Sequence, residues 1–286
     1  MVKKASLWKR IFAQCYIWIL LILMYLPIVV LMIYSFTTST SLGTWNGFSF
    51  DLYVQLFNDH SVQVAVGNTV IIAVVAATLA TLIGTFGAIG VYESRPSTKK
   101  AMEFVTQIPV VNPEIVIALS LIVMFVAIGP FLGGIKLSFW TLLAGHLVLT
   151  VPFVYLSVKP KLIQMDPALY EAALDLGCTP RQALRKAVFP EILPGVMGGF
   201  LIAITLSLDD FIVTAFTRGP GLLSGSSDIQ TISTYVEGII KKHPMPAELR
   251  ALVTCIFLLV LFFVIMATVY SNVKAKKTKK RKGRQY

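Results

Sequence analysis

Six stretches of the chain are apolar almost without interruption, at residues 14–36, 64–92, 102–128, 138–158, 195–217 and 250–272. Each is long enough to cross a bilayer core, which takes about 20 residues of helix. The pattern predicts an all-α integral membrane protein: a short tail over 1–13, a six-helix membrane domain over 14–272 and a basic tail over 273–286. Pro27 and Pro113 fall inside predicted spans and predict kinks, which membrane helices tolerate when neighbours re-satisfy the freed carbonyls. Lys3, Lys4, Lys9 and Arg10 precede the first run as they would precede a signal peptide. That run is longer than a signal core and no A-x-A-like site follows, so an uncleaved anchor helix is expected.

Composition agrees with this pattern. Of 286 residues, 56% are apolar and 14% charged, and the mean hydropathy is +0.77. Soluble domains carry roughly a quarter charged residues, so a soluble globular protein, a disordered chain, a collagen and a secreted disulfide scaffold are excluded. Cys15, Cys178 and Cys255 are scattered, with no CxxC or nearby histidine, so neither a disulfide nor a metal site is expected.

The formal charge of +11 suits a nucleic-acid binder or a membrane protein with basic cytoplasmic loops, and its placement decides between them. Six spans put both termini on one side. To that side fall the four basic residues of the N-terminal tail, then Arg95, Lys99 and Lys100, then Lys159, Lys161, Arg181, Arg185 and Lys186, and finally the basic residues from Lys274 to Arg284. Only Lys136, Arg218, Lys241, Lys242 and Arg250 fall opposite. This asymmetry predicts cytoplasmic termini in a cell (inner or plasma) membrane, and it reads the tail as an orientation signal touching lipid headgroups, with no nucleic-acid partner.

No G-x-x-x-x-G-K-[ST] loop occurs, and Gly84, Gly87 and Gly90 lie inside a span. With Ala73, Ala76, Ala77 and Ala80 they predict small-residue faces for close helix packing, as do Gly195 and Gly199. The chain itself is therefore expected to lack ATPase activity and not to be an enzyme, and energy for any work is expected from a gradient or from another subunit.

The loop at 159–194 is the least apolar stretch between spans. Asp166 before Pro167 predicts a helix start. Ala168, Leu169, Ala172, Ala173 and Leu176 recur at helical spacing as one apolar face, with Glu171 and Asp175 beside each other on the other side. Gly177 is placed to end that helix in a left-handed conformation. Thr179, Pro180 and Gln182 predict a second start with a capping box, and Pro190 a stop. A short helix with a small-residue face docks onto a partner or packs against the ends of its own spans. A DNA-reading helix-turn-helix fits the outline too, but a loop tethered to the bilayer at both ends could hardly lie in a groove.

Glu171-Ala172-Ala173, followed after three residues by Gly177 and later by Pro190, resembles the EAA signature of ABC-importer permeases. Ala187 and Phe189 stand where the fuller pattern has Ile and Leu. Asn112-Pro113-Glu114-Ile115-Val116, the run Tyr170 to Gly177, Ser207-Leu208-Asp209-Asp210 and Thr217-Arg218-Gly219-Pro220 are similar to the spermidine/putrescine branch of that family, over roughly 14–272. The resemblance implies the type I permease fold, with a cytoplasmic coupling helix between the fourth and fifth spans. Glu171, Ala172, Ala173, Asp175, Gly177 and Pro190 would then belong to the ATPase-coupling segment. It further implies a second, homologous permease subunit, a dimeric ABC ATPase that binds ATP and Mg, and an extracytoplasmic polyamine-binding protein, with no cofactor in this chain. The loop at 218–249, with Gly219, Pro220 and Gly221, would meet the binding protein.

Ionisable groups inside spans cost about 2.5–3.5 kcal/mol each on insertion scales and call for a reason. Glu114, His146, Asp209 and Asp210 are such groups. Counted from the expected cytoplasmic ends of their helices, all four lie roughly 18–21 Å deep at 1.5 Å per residue. Carboxylates at one level would suit a path for a polyamine by replacing part of its lost hydration. Each has a structural alternative. His146 could be a hydrogen-bonding core residue, and Glu114 could satisfy backbone freed at Pro113. Asp209 and Asp210 point about 100° apart on a helix, so one should face the path and the other a neighbour. Competing readings are an importer permease for another small cationic solute and a self-sufficient proton- or cation-coupled transporter with the acids as its ion sites. The latter leaves the docking helix without a task.

Overall fold

The computed structural model describes residues 7–39, 44–129, 137–219, 229–242 and most of 247–265. Among these the regular structure is helical throughout: α1 (Leu7–Tyr34), α2 (Asp51–Asn58), α3 (His60–Tyr92), α4 (Pro96–Val111), α5 (Glu114–Ile128), α6 (Phe139–Gln164), α7 (Ala168–Asp175), α8 (Pro180–Ala183), α9 (Phe189–Asp209), α10 (Ile212–Thr217) and α11 (Ile232–Lys242). A last helix, α12 (Leu249–Leu259), is shorter and apolar. The expected C-terminal tail, and Pro220 and Gly221, lie outside the described residues.

Among the described residues, four helical stretches are long and apolar enough to cross a membrane: Gln14–Tyr34, His60–Tyr92, Phe139–Gln164 and Pro180–Asp209. A fifth is counted if α4 and α5, bent by 106° at their break, form one span. The sixth expected run, 250–272, extends past the described residues. The third was expected as one kinked helix. Its Asn112-Pro113 pair instead adopts extended backbone, ψ 140° and 137°, and breaks it outright.

The chain divides into two compact units. The larger, Ser61–Glu237, holds the helices that carry the candidate site. Its core is built where α6 lies along α9, the most extensive helix pair, with α3 packed on the same cluster. Close approach depends on small residues. Ala76, Ala77 and Ala80 are fully buried. A Cβ on Gly84 would stand 2.8 Å from the Val154 side chain, one on Gly195 2.9 Å from the Ser157 carbonyl, and one on Gly199 3.1 Å from Val154 Cα. Gly87 and Gly90 meet nothing within 4 Å. Steps of three residues rotate by about 60° around a helix, so only the first glycine of that motif faces α6. Lys159 donates to Glu103 at 2.6 Å and links α6 to α4. Its side chain therefore belongs to a helix that runs six residues beyond the expected end of the span, to Gln164.

The smaller unit, Met1–His60 with Gly238–Tyr286, holds α1, α2 and α12. The apolar window of α1 buries no residue. After Tyr34 the chain turns through an aromatic cluster, with Phe36 stacked on Phe48 at 5.4 Å and edge-on to Phe50. Arg250, assigned from the sequence to an external loop, is fully buried on α12 and donates to the Ser39 carbonyl at 3.0 Å.

Candidate functional site

The segment between α6 and α9 forms as its punctuation predicts, apart from the last residue of the pattern. Asp166 Oδ1 accepts from the Ala168 N–H at 3.0 Å and starts α7. Gly177 has φ +84°. Around it the Gly177 N–H donates to the Leu174 carbonyl at 2.8 Å and the Cys178 N–H to the Ala173 carbonyl at 3.1 Å. Those two bonds are the Schellman pair that ends a helix at a left-handed residue. Gln182 Oε1 accepts from the Thr179 N–H at 3.0 Å and Thr179 Oγ1 accepts from the Gln182 N–H at 3.4 Å, completing the capping box.

Pro190, expected as a stop, is instead carried into a helix continuous with α9. Residues Leu184–Val188 form a π-turn, and the Phe189 N–H donates to the Leu184 carbonyl, five residues back. A proline ring collides with the carbonyl four residues before it. The wider turn just before Pro190 shifts the hydrogen-bond register where that clash would fall.

The faces of α7 also divide differently from the expected pattern. Tyr170, Ala173 and Leu174 are partly buried, and Tyr170 packs on the α3–α6–α9 core. Ala168, Leu169 and Ala172 stay exposed beside Glu171 and Asp175, and Leu176 is 86% exposed. The apolar arc is wider than the sequence reading made it, because Tyr170 and Leu174 extend it around the helix. The helix seats one side on its own protein and leaves a small-residue, acid-flanked side uncovered.

The second group lies where α5, α6 and the α9–α10 break meet. Asp210 is not inside a continuous helix. Its backbone is extended, with ψ 126°. Oδ1 accepts from the Val213 N–H at 3.2 Å, and Oδ2 accepts from the Thr214 N–H and the Thr214 hydroxyl, both at 2.8 Å. Asp210 thus caps α10, where a carboxylate is favoured by free N–H groups and the helix dipole. His146 Nε2 lies 3.0 Å from Thr214 Oγ1 and 3.7 Å from Asp210 Oδ2, while Nδ1 lies 2.8 Å from Ser207 Oγ. Thr214 gives its hydroxyl proton to Asp210 and so accepts from Nε2–H. Ser207 then donates to Nδ1, and a neutral imidazole satisfies every partner. His146, Ser207, Thr214 and Asp210 are all buried.

Glu114 and Asp209 are exposed by contrast. Glu114 opens the first turn of α5, immediately after the Pro113 break, and its carboxylate accepts no hydrogen bond among the described residues. The carboxylates of Asp210 and Asp209 stand close enough to repel its charge. Ile117, Ala118 and Leu121 of α5 pack on Val213 of α10, so two half-helices share this corner, each beginning at one of the acids. The structure thus gathers the four ionisable groups and separates them into a wired pair, His146 with Asp210, and an open pair, Glu114 with Asp209. Ser207 and Thr214 were missed in the sequence. Their signal was a hydroxyl three residues before Asp210 and another four after it, one helical turn to either side.

Replacing Asp210 by alanine leaves two buried N–H groups and a hydroxyl without an acceptor, at a cost of about 2–4 kcal/mol. Its melting temperature in detergent is expected to fall by several degrees, whereas Asp209→Asn should leave it within about a degree. Equal shifts would contradict the division into wired and open acids.

The profile of the family described as binding-protein-dependent transport system inner membrane component matches residues 80–279. The chain belongs to that family. Over 253 residues it is 34% identical to the spermidine/putrescine transport system permease protein PotC of Escherichia coli K12, covering 88% of this chain and 91% of that one. It is also 34% identical, over 200 residues, to the putrescine transport system permease protein PotI of the same organism, covering 69% and 71%. Among solved structures, a bacterial ABC transporter that imports the acidic polysaccharide alginate superposes with a TM-score of 0.67 at 19% identity, covering 92% of this chain and 98% of that one. The same kind of transporter with an alginate-bound periplasmic protein gives 0.68 at 19% identity, covering 92% and 95%. At that identity the likeness is one of fold. As a member of this family the chain is a multi-pass membrane component of a binding-protein-dependent importer. The profile's range holds α7, the π-turn and both pairs of ionisable groups.

Proposed function

We propose that this chain is one of two permease subunits of an ATP-driven importer of polyamines, working by alternating access. Six spans are assigned to it: α1, α3, the broken α4–α5, α6, the stretch from α8 through α10, and the apolar run at 250–272 of the sequence, with both termini cytoplasmic. A second, homologous permease closes the path. A dimeric ABC ATPase binds ATP and Mg, and an extracytoplasmic binding protein delivers the polyamine. The basic residues from Lys274 to Arg284 carry the charge that attracts anionic lipid headgroups.

The observation that carries this reading is the open pair. Glu114 and Asp209 are two uncovered carboxylates at breaks in apolar helices, in a chain whose relatives are named for spermidine and putrescine. A fold shared with an alginate transporter does not set the sign of the cargo, and two uncovered carboxylates favour a cation. Two acids in a low-dielectric path replace part of the water stripped from ammonium groups. Asp210 and His146 hold the α9–α10 break from which Asp209 projects, so they act on the path through geometry. On the cytoplasmic side the uncovered face of α7 sits in a cleft of the ATPase, and closure of the ATPase pair on ATP moves α7 and the helices it is seated on.

The test is uptake of labelled putrescine and spermidine by cells with and without the chain, each repeated with the ATPase inactivated. Uptake should be lost in both cases. Uptake that needs the chain but survives loss of the ATPase would establish a secondary transporter, and uptake indifferent to both would remove polyamines as the cargo.

A further inference from the structure

A cavity of about 410 Å³ lies beneath α7, between it, the C-terminal ends of α3 and α6, and the π-turn. Its size is inside the roughly 300–1,000 Å³ range of small-ligand pockets. The walls include Leu162 and Leu184, two tyrosines, Tyr92 and Tyr170, and two carboxylates, Glu93 and Glu171; among the described residues no lysine, arginine or histidine lines it. That is unusual for its surroundings, since Arg95, Lys99, Arg181, Arg185 and Lys186 all lie in adjoining segments. Both carboxylates are exposed, and neither has an ion-pair or hydrogen-bond partner among the described residues. The Tyr92 ring already receives one ammonium, with Lys99 Nζ 5.3 Å from its centroid. Apolar walls, ring faces and unpaired acids suit one class of ligand: a primary ammonium on an aliphatic stem.

We propose that this cavity binds such an amine from the cytoplasm and that its occupancy restrains α7. Resting on the importer reading above, the natural ligand is the transported polyamine itself, which slows its own uptake once the internal pool is high. The methylene stem lies on Leu162 and Leu184, and an ammonium group sits between Glu93 and Glu171. Because Glu171 and Tyr170 belong to α7, the ligand ties that helix to α3, across the joint that nucleotide-driven motion must work. An ethanolamine lipid headgroup offers the same ammonium chemistry.

The experiment uses the complete transporter in vesicles free of ethanolamine lipid, with ATP inside and loaded binding protein outside. Unlabelled putrescine or spermidine is preloaded at millimolar concentration against a sodium control of equal ionic strength. Preloading is expected to lower the initial rate of labelled uptake roughly fivefold. Glu93→Gln and Tyr92→Leu should each raise the internal concentration needed for half-inhibition about tenfold, with the rate into unloaded vesicles unchanged. Inhibition that is absent, or unaltered by both variants, overturns the proposal while leaving the importer reading intact. A second arm is independent of cargo: equilibrium dialysis of labelled putrescine against transporter carrying Glu114→Gln and Asp209→Asn. Binding that disappears when Glu93→Gln is added supports the site even if polyamines are not transported, and absence of Glu93-dependent binding refutes it. Repeating the dialysis with ethanolamine lipid identifies the source: displacement assigns the cavity to the headgroup, retention to the soluble amine.

Discussion

Glu114→Gln and Asp209→Asn are each expected to cut polyamine uptake by at least about tenfold, and the double variant to bring it near background. Two unit charges 4 Å apart attract by about 4 kcal/mol at an effective dielectric of 20. Part of that is offset by desolvating both partners. A surviving 1.5–3 kcal/mol per contact corresponds to roughly ten- to hundredfold in rate or affinity. Neither substitution should disturb the fold. Both side chains are exposed in the chain, and glutamine and asparagine keep their shape. Initial uptake rates, normalised to transporter recovered in the membrane, read the effect directly. Thermal stability measured beside them separates it from misfolding. Asp210→Asn serves as the contrast: it weakens the cap on α10, so it should lose stability and uptake together. Full uptake by both Glu114→Gln and Asp209→Asn would remove these acids from the path and leave the cargo to the partner permease.

That contrast marks where the sequence stopped being informative. The apolar runs exposed the helices because a bilayer demands about 20 apolar residues wherever the chain crosses, and nothing else in the chain imitates that. The cap at Asp166, the left-handed Gly177 and the Thr179–Gln182 box were legible because each is a local device, complete within a few residues. Breaks were harder. The Pro113 signal was visible, but whether a proline kinks or breaks a helix depends on what packs around it. At Asp210 no proline or glycine gives warning. The break there is held by His146 from another helix, with Ser207 and Thr214, and such a network forms only once α6 and the α9–α10 stretch have met. The helices that carry the four groups are broken at Pro113 and Asp210, and the groups still converge, because α5 packs on α10. Pro190 misled for a related reason: its clash is relieved by a π-turn that no residue pattern announces.

The second large effect belongs to Gly177, and its size should follow the backbone and not the volume of the new side chain. At φ +84° an added Cβ meets no atom within 4 Å, so crowding is not the obstacle. The obstacle is the left-handed conformation, which costs L-residues about 1–2 kcal/mol, more for a β-branched residue and least for asparagine. An isolated helix of eight residues does not hold itself together. α7 therefore depends on its two ends and on the seating of Tyr170 and Leu174. Losing the Schellman bonds at Gly177 and Cys178 frees the turn that carries Asp175 and Leu176 on the uncovered side. In reconstituted transporter, Gly177→Val is expected to lower uptake tenfold or more. Basal ATP hydrolysis should persist, no longer stimulated by loaded binding protein, because the ATPase is intact and only its lever is misshapen. Gly177→Ala should fall between Val and wild type, and Gly177→Asn should stay closest to wild type. That order, Asn above Ala above Val in residual coupling, distinguishes a conformational requirement from a contact requirement. A docking surface that needed the bare glycine would reject all three alike, and equal loss across the series would show that the ATPase touches Gly177 itself.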